Sequence, residues 1–356
     1  MLKTAFLDTA PLTTNHFFLF LASFLYAYIA LAIVQRIPII TLRRNKTKPS
    51  IYYGGVVIIS LINIFCFTVI NQPYLIIGLL ITSIIIVFIG TLDEIKNLSP
   101  SAQLISQFAI AAIISASGWV IRYISNPWSE GIIYLQLISV GNLSLMSIML
   151  TSVWLVFLMN AINWIDGADG LAGGIGSVAF ITLAVVALLP SVQDSRTLSL
   201  AIIGAGVTLG FLIWNWPPAK VYLGTTGSWF LGLFIGITAI VGGGKIATTL
   251  LVLAIPTLDV ILVIIQRLVN KQAPWQGDTK HHLHQRLQAA GLSPQTITLL
   301  AILFSASFGL AAISLQTHQK IWTLAVVGAL QAVAAIILWL RHKQRKSIPN
   351  TSINNL

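Results

Sequence analysis

Residues 74–92 read YLIIGLLITSIIIVFIGTL, a run of nineteen residues without a charged side chain. A helix of this length spans the hydrocarbon core of a bilayer, about 30 Å, since each residue adds about 1.5 Å. Similar stretches occur at approximately 15–35, 53–71, 103–121, 144–162, 171–189, 198–215, 226–243, 246–266, 296–315 and 321–340. The sequence therefore predicts an all-α integral membrane protein with about eleven transmembrane helices in one polytopic domain, 1–356.

The composition of the 356-residue chain excludes several other classes of protein. Hydrophobic residues make up 56% of it and charged residues 8%, and the mean hydropathy is +0.89. Soluble domains carry about 25% charged residues, and a chain this apolar cannot cover a water-facing surface. A soluble enzyme, a disordered protein and a secreted disulfide scaffold are excluded; the one cysteine, Cys66, has no second cysteine to pair with.

The charges in the loops predict the orientation. With the N-terminus outside, 15 of the 20 Lys and Arg residues fall on the cytoplasmic side, and the basic tail 341–356 is cytoplasmic. The net charge of +11 then reports topology and contact with anionic lipid, not nucleic acid. A short hairpin is expected within 131–140, before Gly141-Asn142.

The acidic residues are few and unevenly placed. Six of the nine lie on or near the predicted cytoplasmic face: Asp93, Glu94, Asp166, Asp169, Asp259 and Asp278. They could simply balance the cytoplasmic Lys and Arg, or they could form a membrane-embedded site for a cation or a polar substrate. The loops that would build such a site are about 91–102, 160–171, 216–228 and 268–295.

The densest group of polar residues is NAINWIDGADGLA, residues 160–172. Asn160, Asn163, Asp166 and Asp169 recur at every third position, so a helix end would present them roughly on one side. Amides could read a nucleobase or an N-acetyl group, and carboxylates could hold a divalent cation. Helix capping is the alternative, but it explains only one or two of the four residues.

This motif resembles the signature of the polyprenyl-phosphate N-acetylhexosamine-1-phosphate transferases. These are integral membrane enzymes of glycosyl transferase family 4 that start bacterial cell-wall and surface-polysaccharide assembly. The resemblance extends over roughly 50–290, with the motifs in the family's order. It implies that Asn160, Asn163, Asp169, Gly170 and Leu171 belong to a substrate site, and that Mg²⁺ or Mn²⁺ is the cofactor.

A second motif, GTLDEIKNLSP at 90–100, places two adjacent acids, Asp93 and Glu94, at a helix end. Adjacent carboxylates could bind Mg²⁺, or one could act as a base; a capped, exposed turn is the alternative. The family has Asp-Asp here, then Leu-Ser-Pro and a Lys. In this chain the second acid is Glu94 and the Lys position holds Gln103, and nearby Lys96 would only partly replace the missing cation.

A third motif, LGTTGSWFLG at 223–232, could cradle phosphate oxygens with backbone N–H groups at a helix start; an ordinary Gly- and Ser-rich helix start is the alternative. The family has Gly-Asp-x-Gly-Ser, whose Asp is tied to the Mg²⁺ site, and this chain has Thr225 in its place. A hydroxyl is a weaker, neutral ligand. The resemblance implies that Asp93, Glu94 and Asp166 are catalytic and that Asp93 and Asp166 are metal ligands. Either these acids and water form the metal site without an acid at 225, or metal binding is impaired.

A fourth group begins with Asp259 and Arg267, which match the family's Pro-x-x-Asp and following Arg, although an intramembrane Asp could merely pair with a neighbour. The stretch GDTKHHLHQRL at 277–287 resembles the family's His-x-His-His-Arg-Leu loop, in either of two registers. Its side chains would bind pyrophosphate by charge and hydrogen bonds: Lys280, His282, His284 and Arg286. Zinc is disfavoured because no cysteine partner is near.

The resemblance implies a complete reaction. Undecaprenyl phosphate would attack the β-phosphate of a UDP-N-acetylhexosamine, release UMP and leave a lipid-linked pyrophosphoryl sugar, with Asp93 deprotonating or steering the lipid phosphate. The His-Leu-His pattern is closer to the N-acetylglucosamine-type branch than to the peptidoglycan translocase branch. The site would face the cytoplasm from a bacterial inner membrane, and the resemblance leaves a homodimer open.

Two alternatives compete with this interpretation. The first is a paralogue of the same fold that binds lipid phosphate or nucleotide sugar without turnover, suggested by Glu94, Gln103 and Thr225. The second is a transporter, which predicts ionisable residues at several depths of the membrane, whereas only Asp259 is clearly inside a predicted span.

Overall fold

The computed structural model describes residues 13–36, 53–126, 131–135, 139–140, 143–241, 245–269, 271 and 282–346. Its helices are α1 (Thr14–Val34), α2 (Gly54–Val69), α3 (Pro73–Lys96), α4 (Pro100–Ala116), α5 (Leu145–Ile165), α6 (Leu171–Leu188), α7 (Ser195–Asn215), α8 (Gly224–Val241), α9 (Ile246–Val252), α10 (Ala254–Val269), α11 (Leu283–Ala289), α12 (Pro294–Ser314) and α13 (Thr317–Lys346). Its strands are β1 (Tyr123–Ser125), β2 (Ile132–Tyr134), β3 (Ser139–Val140) and β4 (Leu143–Ser144).

The helical membrane architecture is confirmed. Within the described ranges, seven helices are long and apolar enough to span a membrane, namely α1, α3, α5, α6, α7, α8 and α12. The α9–α10 pair would make an eighth span. Helices α2 and α4 coincide with predicted spans but have only 16 and 17 residues. The total of eleven spans and the orientation stay predictions.

The span expected at 246–266 is not one continuous helix. Helices α9 and α10 meet at an angle of 85°, with the break at Leu253. Pro256 lies in the first turn of α10, where a proline is tolerated because its missing N–H would have no partner inside the helix. Continuing α9 through this proline would lose a helical hydrogen bond, so a new helix starts instead.

Helix α8 forms the centre of the bundle. Every residue from Thr225 to Ile240 is buried, and α8 packs on α2, α3 and α5, among others. A helix that is apolar on all sides belongs in a core. Its glycines permit close approach: a Cβ at Gly232 would lie 2.5 Å from the carbonyl oxygen of Leu158 in α5.

The helices alternate in direction, so their ends gather at two faces. The C-terminal ends of α3, α5 and α7 meet the N-terminal ends of α4, α6 and α8 at one face. At the opposite face Lys245, before α9, pairs with Asp194, before α7, at 3.4 Å. The first face collects the polar motifs of the sequence.

Short strands interrupt the helices between α4 and α5. Strand β1 pairs antiparallel with β2, and β3 pairs with β4 on either side of Gly141 and Asn142. The hairpin predicted within 131–140 is not formed there, because β2 pairs with the earlier β1 and β3 pairs with the later β4. The all-α class needs only this small amendment.

Candidate active site

Asp93 joins three helices at the polar face. One carboxylate oxygen, Oδ1, accepts hydrogen bonds from the Leu98 N–H at 3.0 Å and from Gln103 Nε2 at 2.8 Å. The other, Oδ2, accepts from Thr225 Oγ1 at 2.7 Å. The turn between α3 and α4 allows this because Asn97 ends α3 in the left-handed region, at φ 50°. The two positions that depart most from the family pattern, 103 and 225, thus both contact Asp93.

Further acids lie beside Asp93. Glu94 Oε1 accepts from the Thr226 N–H at 3.3 Å. Asp166, directly after α5, has a pKa well above its ordinary value because of burial and the nearby carboxylates of Glu94 and Asp169. The N–H of Gly224 partly opposes this shift of the pKa. Closely spaced carboxylates either take up a proton or attract a cation.

This acid cluster suits Mg²⁺ only in an open arrangement. Among the described residues, no three His, Cys, Asp or Glu side chains lie close enough together to hold a metal ion by themselves. Mg²⁺ is usually held by one or two carboxylates together with water and substrate phosphates. Glu94 and Asp166 provide two hard oxygen donors close to each other, so the donor set fits such a shared site.

The two amides of the 160–172 motif are fixed by different helices. Asn160 Nδ2 donates to Gln107 Oε1 in α4 at 2.6 Å and to the carbonyl oxygen of Val156 at 2.9 Å. Asn163 Oδ1 accepts from Ser228 Oγ in α8 at 2.8 Å. The first, second and third motifs of the sequence are therefore joined by side-chain hydrogen bonds.

Asp169 and Gly170 build the turn into α6. Asp169 Oδ2 accepts from the Ala219 N–H at 2.9 Å, and the N–H of Gly170 donates to Asn215 Oδ1 at 2.9 Å. Gly170 has a φ of +74°, which disfavours any residue with a side chain. Leu171 then starts α6 as a buried residue. The role of these three residues in substrate binding stays a prediction.

The histidines of the fourth motif are held next to the 160–172 motif. His282 Nδ1 lies 2.8 Å from Asp259 Oδ2, and the Leu283 N–H donates to Asp259 Oδ1 at 3.0 Å. The rings of His282 and His284 stack, with centroids 6.0 Å apart. Asp259 therefore pairs with a residue of the site, and it belongs to this face of the molecule.

His284 is a buried, neutral imidazole. Burial, together with the neighbouring His282 ring, lowers its pKa to about 4, and Asp259 acts in the opposite direction. Its Nε2 atom has no hydrogen-bond partner among the described residues. A Cβ at Gly167 would lie 2.9 Å from this atom, so the glycine leaves space in front of the ring.

The remaining basic residues predicted for this loop are only partly placed. Arg286 Nη2 donates to Gln266 Oε1 in α10 at 3.2 Å. Lys280 and Asp278 lie outside the described residues. The predicted contacts of Lys280 and Arg286 with a pyrophosphate stay predictions.

Three site residues received no role from the sequence. Trp164 packs against the His282 ring, with centroids 5.2 Å apart, and the guanidinium of buried Arg267 lies 5.2 Å from the centre of the Trp164 ring. Gln107 and Asn215 each anchor a residue of the first motif. For Gln107 a signal existed, because its spacing of four from Gln103 puts both amides on one face of α4.

An apolar groove leads to the acid cluster. A cavity of about 920 Å³ lies between α2 and α3 and ends at Thr91 and Leu92, immediately before Asp93. Its walls include Ile59, Leu80, Val87 and Phe88, with a polar patch at Ser60, Asn63 and Ser83. The groove thus extends from the middle of the apolar helices to the polar face.

Fold and site together define a class: a polytopic membrane protein with carboxylates, amides and histidines collected where its helices end. Comparison with known proteins gives the family. Residues 76–243 match the model of glycosyl transferase family 4, and the chain belongs to that family.

Three relatives are similar to this chain over parts of their length. A probable undecaprenyl-phosphate N-acetylglucosaminyl 1-phosphate transferase of Bacillus subtilis (strain 168) is 33% identical over 67% of this chain and 65% of its own. An undecaprenyl-phosphate alpha-N-acetylglucosaminyl 1-phosphate transferase of Thermotoga maritima is 34% identical over 30% of this chain and 36% of its own. A decaprenyl-phosphate N-acetylglucosaminephosphotransferase of Mycolicibacterium smegmatis is 30% identical over 39% and 38%. The chain therefore spans less than two thirds of the length of each of these relatives.

Proposed function

We propose that the protein transfers N-acetylhexosamine 1-phosphate, in the first instance N-acetylglucosamine 1-phosphate, from a UDP-sugar to undecaprenyl phosphate. The observation that carries this proposal is the meeting of Asp93, Glu94 and Asp166 with the amides and histidines at one face of the bundle. The names of the three relatives support the lipid phosphate and the sugar. The reaction would be the first membrane step of cell-wall or surface-polysaccharide synthesis, on the cytoplasmic side of the inner membrane.

The bond changes follow from the two substrates. An oxygen of the lipid phosphate attacks the β-phosphorus of the UDP-sugar, and the bond from this phosphorus to the oxygen bridging it to the α-phosphate breaks. UMP leaves with that oxygen, and the lipid carries a pyrophosphoryl sugar. Such a transfer depends mainly on positioning and on stabilising negative charge, because little covalent chemistry falls to the protein.

The acids divide this work. Glu94 and Asp166 would hold Mg²⁺, and the bound cation would neutralise negative charge on the pyrophosphate. Asp93 already accepts three hydrogen bonds, from residues of α4, α8 and the turn before α4. We therefore assign to Asp93 the role of holding α3, α4 and α8 in position around the reacting phosphates. It would steer the lipid phosphate in this indirect way. In this division Thr225 needs no charge of its own.

The other side chains would bind and orient the donor. Asn160 and Asn163 would hold the uridine end with Asp169, and Trp164 lies beside them as a flat apolar surface. His282 would contact the phosphates, with its ring orientation set by Asp259. Neutral His284, with its hydrogen on the unpartnered Nε2 atom, would donate a hydrogen bond to a phosphate or sugar oxygen.

The lipid chain needs an apolar path to the acid cluster. The groove between α2 and α3 offers one, since the end of the groove that is nearest the polar face lies at Leu92, next to Asp93. An isoprenoid chain in this groove would stay in contact with apolar side chains while its phosphate reaches the polar face.

UMP release tests the proposal. Protein purified in detergent would be given undecaprenyl phosphate, Mg²⁺ and, in turn, UDP-N-acetylglucosamine and UDP-N-acetylgalactosamine. Glu94→Gln should lower kcat at least about 100-fold because it removes a charge that the cation needs, whereas the matched variant Glu94→Asp keeps the charge and should stay within about tenfold. No release with either sugar, or full activity of Glu94→Gln, would contradict the proposal.

One observation keeps a second candidate function in view. The chain has neutral Thr225 where the family has an acid, and a paralogue that binds without turnover would also account for that. Binding of UDP-sugar to purified protein without UMP release from any UDP-sugar, in wild type and Glu94→Asp alike, would favour this second function.

A further inference from the structure

Gln103 and Thr225 meet at one carboxylate although they lie on different helices. Gln103 Nε2 in α4 donates to Asp93 Oδ1 at 2.8 Å, and Thr225 Oγ1 in α8 donates to Asp93 Oδ2 at 2.7 Å. Asp93 and Thr225 are both buried. Each oxygen of the carboxylate therefore receives one neutral side-chain donor.

The charges at these two positions differ from the family pattern in opposite directions. The family has Lys at the position of Gln103 and Asp at the position of Thr225. Replacing both with neutral residues removes one positive and one negative charge, so the net charge around Asp93 is unchanged. Since the two neutral side chains also share a hydrogen-bond acceptor, the two departures are physically connected.

We propose that Gln103 and Thr225 are paired positioning residues, which act as one unit through Asp93 and replace a charged pair with a neutral one. Their function is to fix Asp93, and with it the adjacent Glu94, at the site face. This inference rests on the proposed transferase activity for its kinetic effect. It also makes the neutral residue at 225 part of a working site, not a sign of lost catalysis.

The pairing predicts that restoring the acid at 225 alone is harmful. Thr225→Asp would remove the hydroxyl donor and put a second carboxylate in hydrogen-bond contact with Asp93, and like charges repel strongly in a buried place. Gln103→Lys would replace the amide donor with an ammonium that also contacts Asp93. In the double variant the added ammonium balances the added carboxylate.

A double-mutant cycle tests the pairing with four proteins: wild type, Thr225→Asp, Gln103→Lys and the double variant. The readouts are Tm without substrate or metal, kcat and KM for UDP-N-acetylglucosamine, and the Mg²⁺ concentration for half-maximal rate. Thr225→Asp should lower kcat about tenfold or more, with KM within about twofold of wild type. Adding Gln103→Lys to Thr225→Asp, in the double variant, should return kcat to within about threefold of wild type. Tm should show the same rescue.

Gln107→Lys provides a matched control. Gln107 lies one turn further along α4 and contacts Asn160 instead of Asp93. An ammonium introduced there should not rescue Thr225→Asp in kcat or in Tm. Rescue by Gln107→Lys would mean that any nearby positive charge suffices, and the specific pairing would be refuted.

Two other results would overturn the inference. Additive effects of the two substitutions would show that the positions act independently. A Thr225→Asp variant that is faster than wild type and needs less Mg²⁺ would show that Thr225 is simply a lost metal ligand. If wild type releases no UMP with any UDP-sugar, the proposed function fails, while rescue or additivity in Tm still decides whether the two residues are paired.

Discussion

At the scale of single residues, the site is organised by carboxylates that accept several hydrogen bonds each. Asp93 receives three donors, and Asp259 receives His282 and the Leu283 N–H. An ionised carboxylate can be buried only when such donors replace its water. The carboxylates consequently hold the loops around them in place, in addition to supplying negative charge to the site.

Asp259→Asn tests how far His282 depends on its acid. The substitution keeps the shape but removes the charge that holds the imidazole at 2.8 Å. A hydrogen bond to a charged group contributes about 1.5–3 kcal/mol, so we expect kcat/KM to fall roughly 10- to 100-fold. His282→Gln should fall by a similar factor, and the double variant should be no worse than either single one. Independent, multiplying effects in the double variant would contradict the pairing.

The pH dependence of stability tests the burial of His284. Its pKa of about 4 in the folded protein lies below the ordinary 6.5, so above pH 6.5 the imidazole is neutral in both states and contributes nothing. As pH falls below 6.5, the unfolded chain binds a proton that the folded protein excludes, and the stability decreases by up to about 3 kcal/mol near pH 4. His284→Gln should remove most of this decrease, as measured by Tm between about pH 4.5 and 7.5.

The sequence predicted the chemical types of the site residues better than their partners. The motif at 160–172 identified Asn160, Asn163 and Asp166 as a group, because a step of three keeps side chains on one side of a helix. Their partners Gln107 and Ser228 come from other helices, and no periodicity within one segment encodes such long-range hydrogen bonds.

At the scale of helices, glycines set the position of the α8 N-terminus. A Cβ at Gly55 in α2 would lie 2.4 Å from the Gly227 nitrogen, and one at Gly90 in α3 would lie 2.5 Å from Thr226 Oγ1. Two helices therefore contact the start of α8 almost backbone to backbone. This close packing holds the Thr225 and Ser228 side chains against α3 and α5.

Gly55→Ala should disturb this packing. The added methyl meets backbone that cannot move alone, so we expect the free energy of unfolding to fall by about 1–3 kcal/mol and kcat of the folded protein to fall with it. Gly328→Ala in α13 is the matched control, because its Cβ would meet only the end of the flexible Leu258 side chain at 3.3 Å. A Tm of Gly55→Ala equal to that of the control would refute this account of the α2–α8 contact.

The helices were largely predictable because a long apolar run identifies a span without any knowledge of its neighbours. The bend between α9 and α10 was missed because hydropathy averages over Pro256, whose effect is local to the backbone. The bend turns α10 so that it carries Asp259 and Arg267 to His282 and Trp164.

At the scale of the whole molecule, the alternation of the helices puts the described residues of all four motifs on one face. The excess of Lys and Arg predicts that this face is cytoplasmic. Thiol labelling can test this orientation, because the single native cysteine, Cys66, is buried. Exposed positions for new cysteines lie at both ends of α12.

Ala290→Cys and Gln316→Cys should label from opposite sides. Residue 290 precedes α12 on the motif face, and residue 316 follows α12 at the other face. In sealed, right-side-out vesicles a membrane-impermeant maleimide should label only residue 316; in inverted vesicles it should label only residue 290. The reverse pattern would place the site outside and would contradict the predicted orientation.

The fate of the β-phosphorus distinguishes transfer of a sugar phosphate to the lipid phosphate from transfer of the sugar alone. UDP-N-acetylglucosamine carrying ³²P at the β-phosphate and ¹⁴C in the sugar would be incubated with the protein, undecaprenyl phosphate and Mg²⁺, and the lipid would then be extracted. We expect ³²P and ¹⁴C to enter the lipid fraction in equal amounts while UMP appears in the water phase. Lipid containing ¹⁴C without ³²P, or no label in the lipid at all, would contradict the proposed transfer.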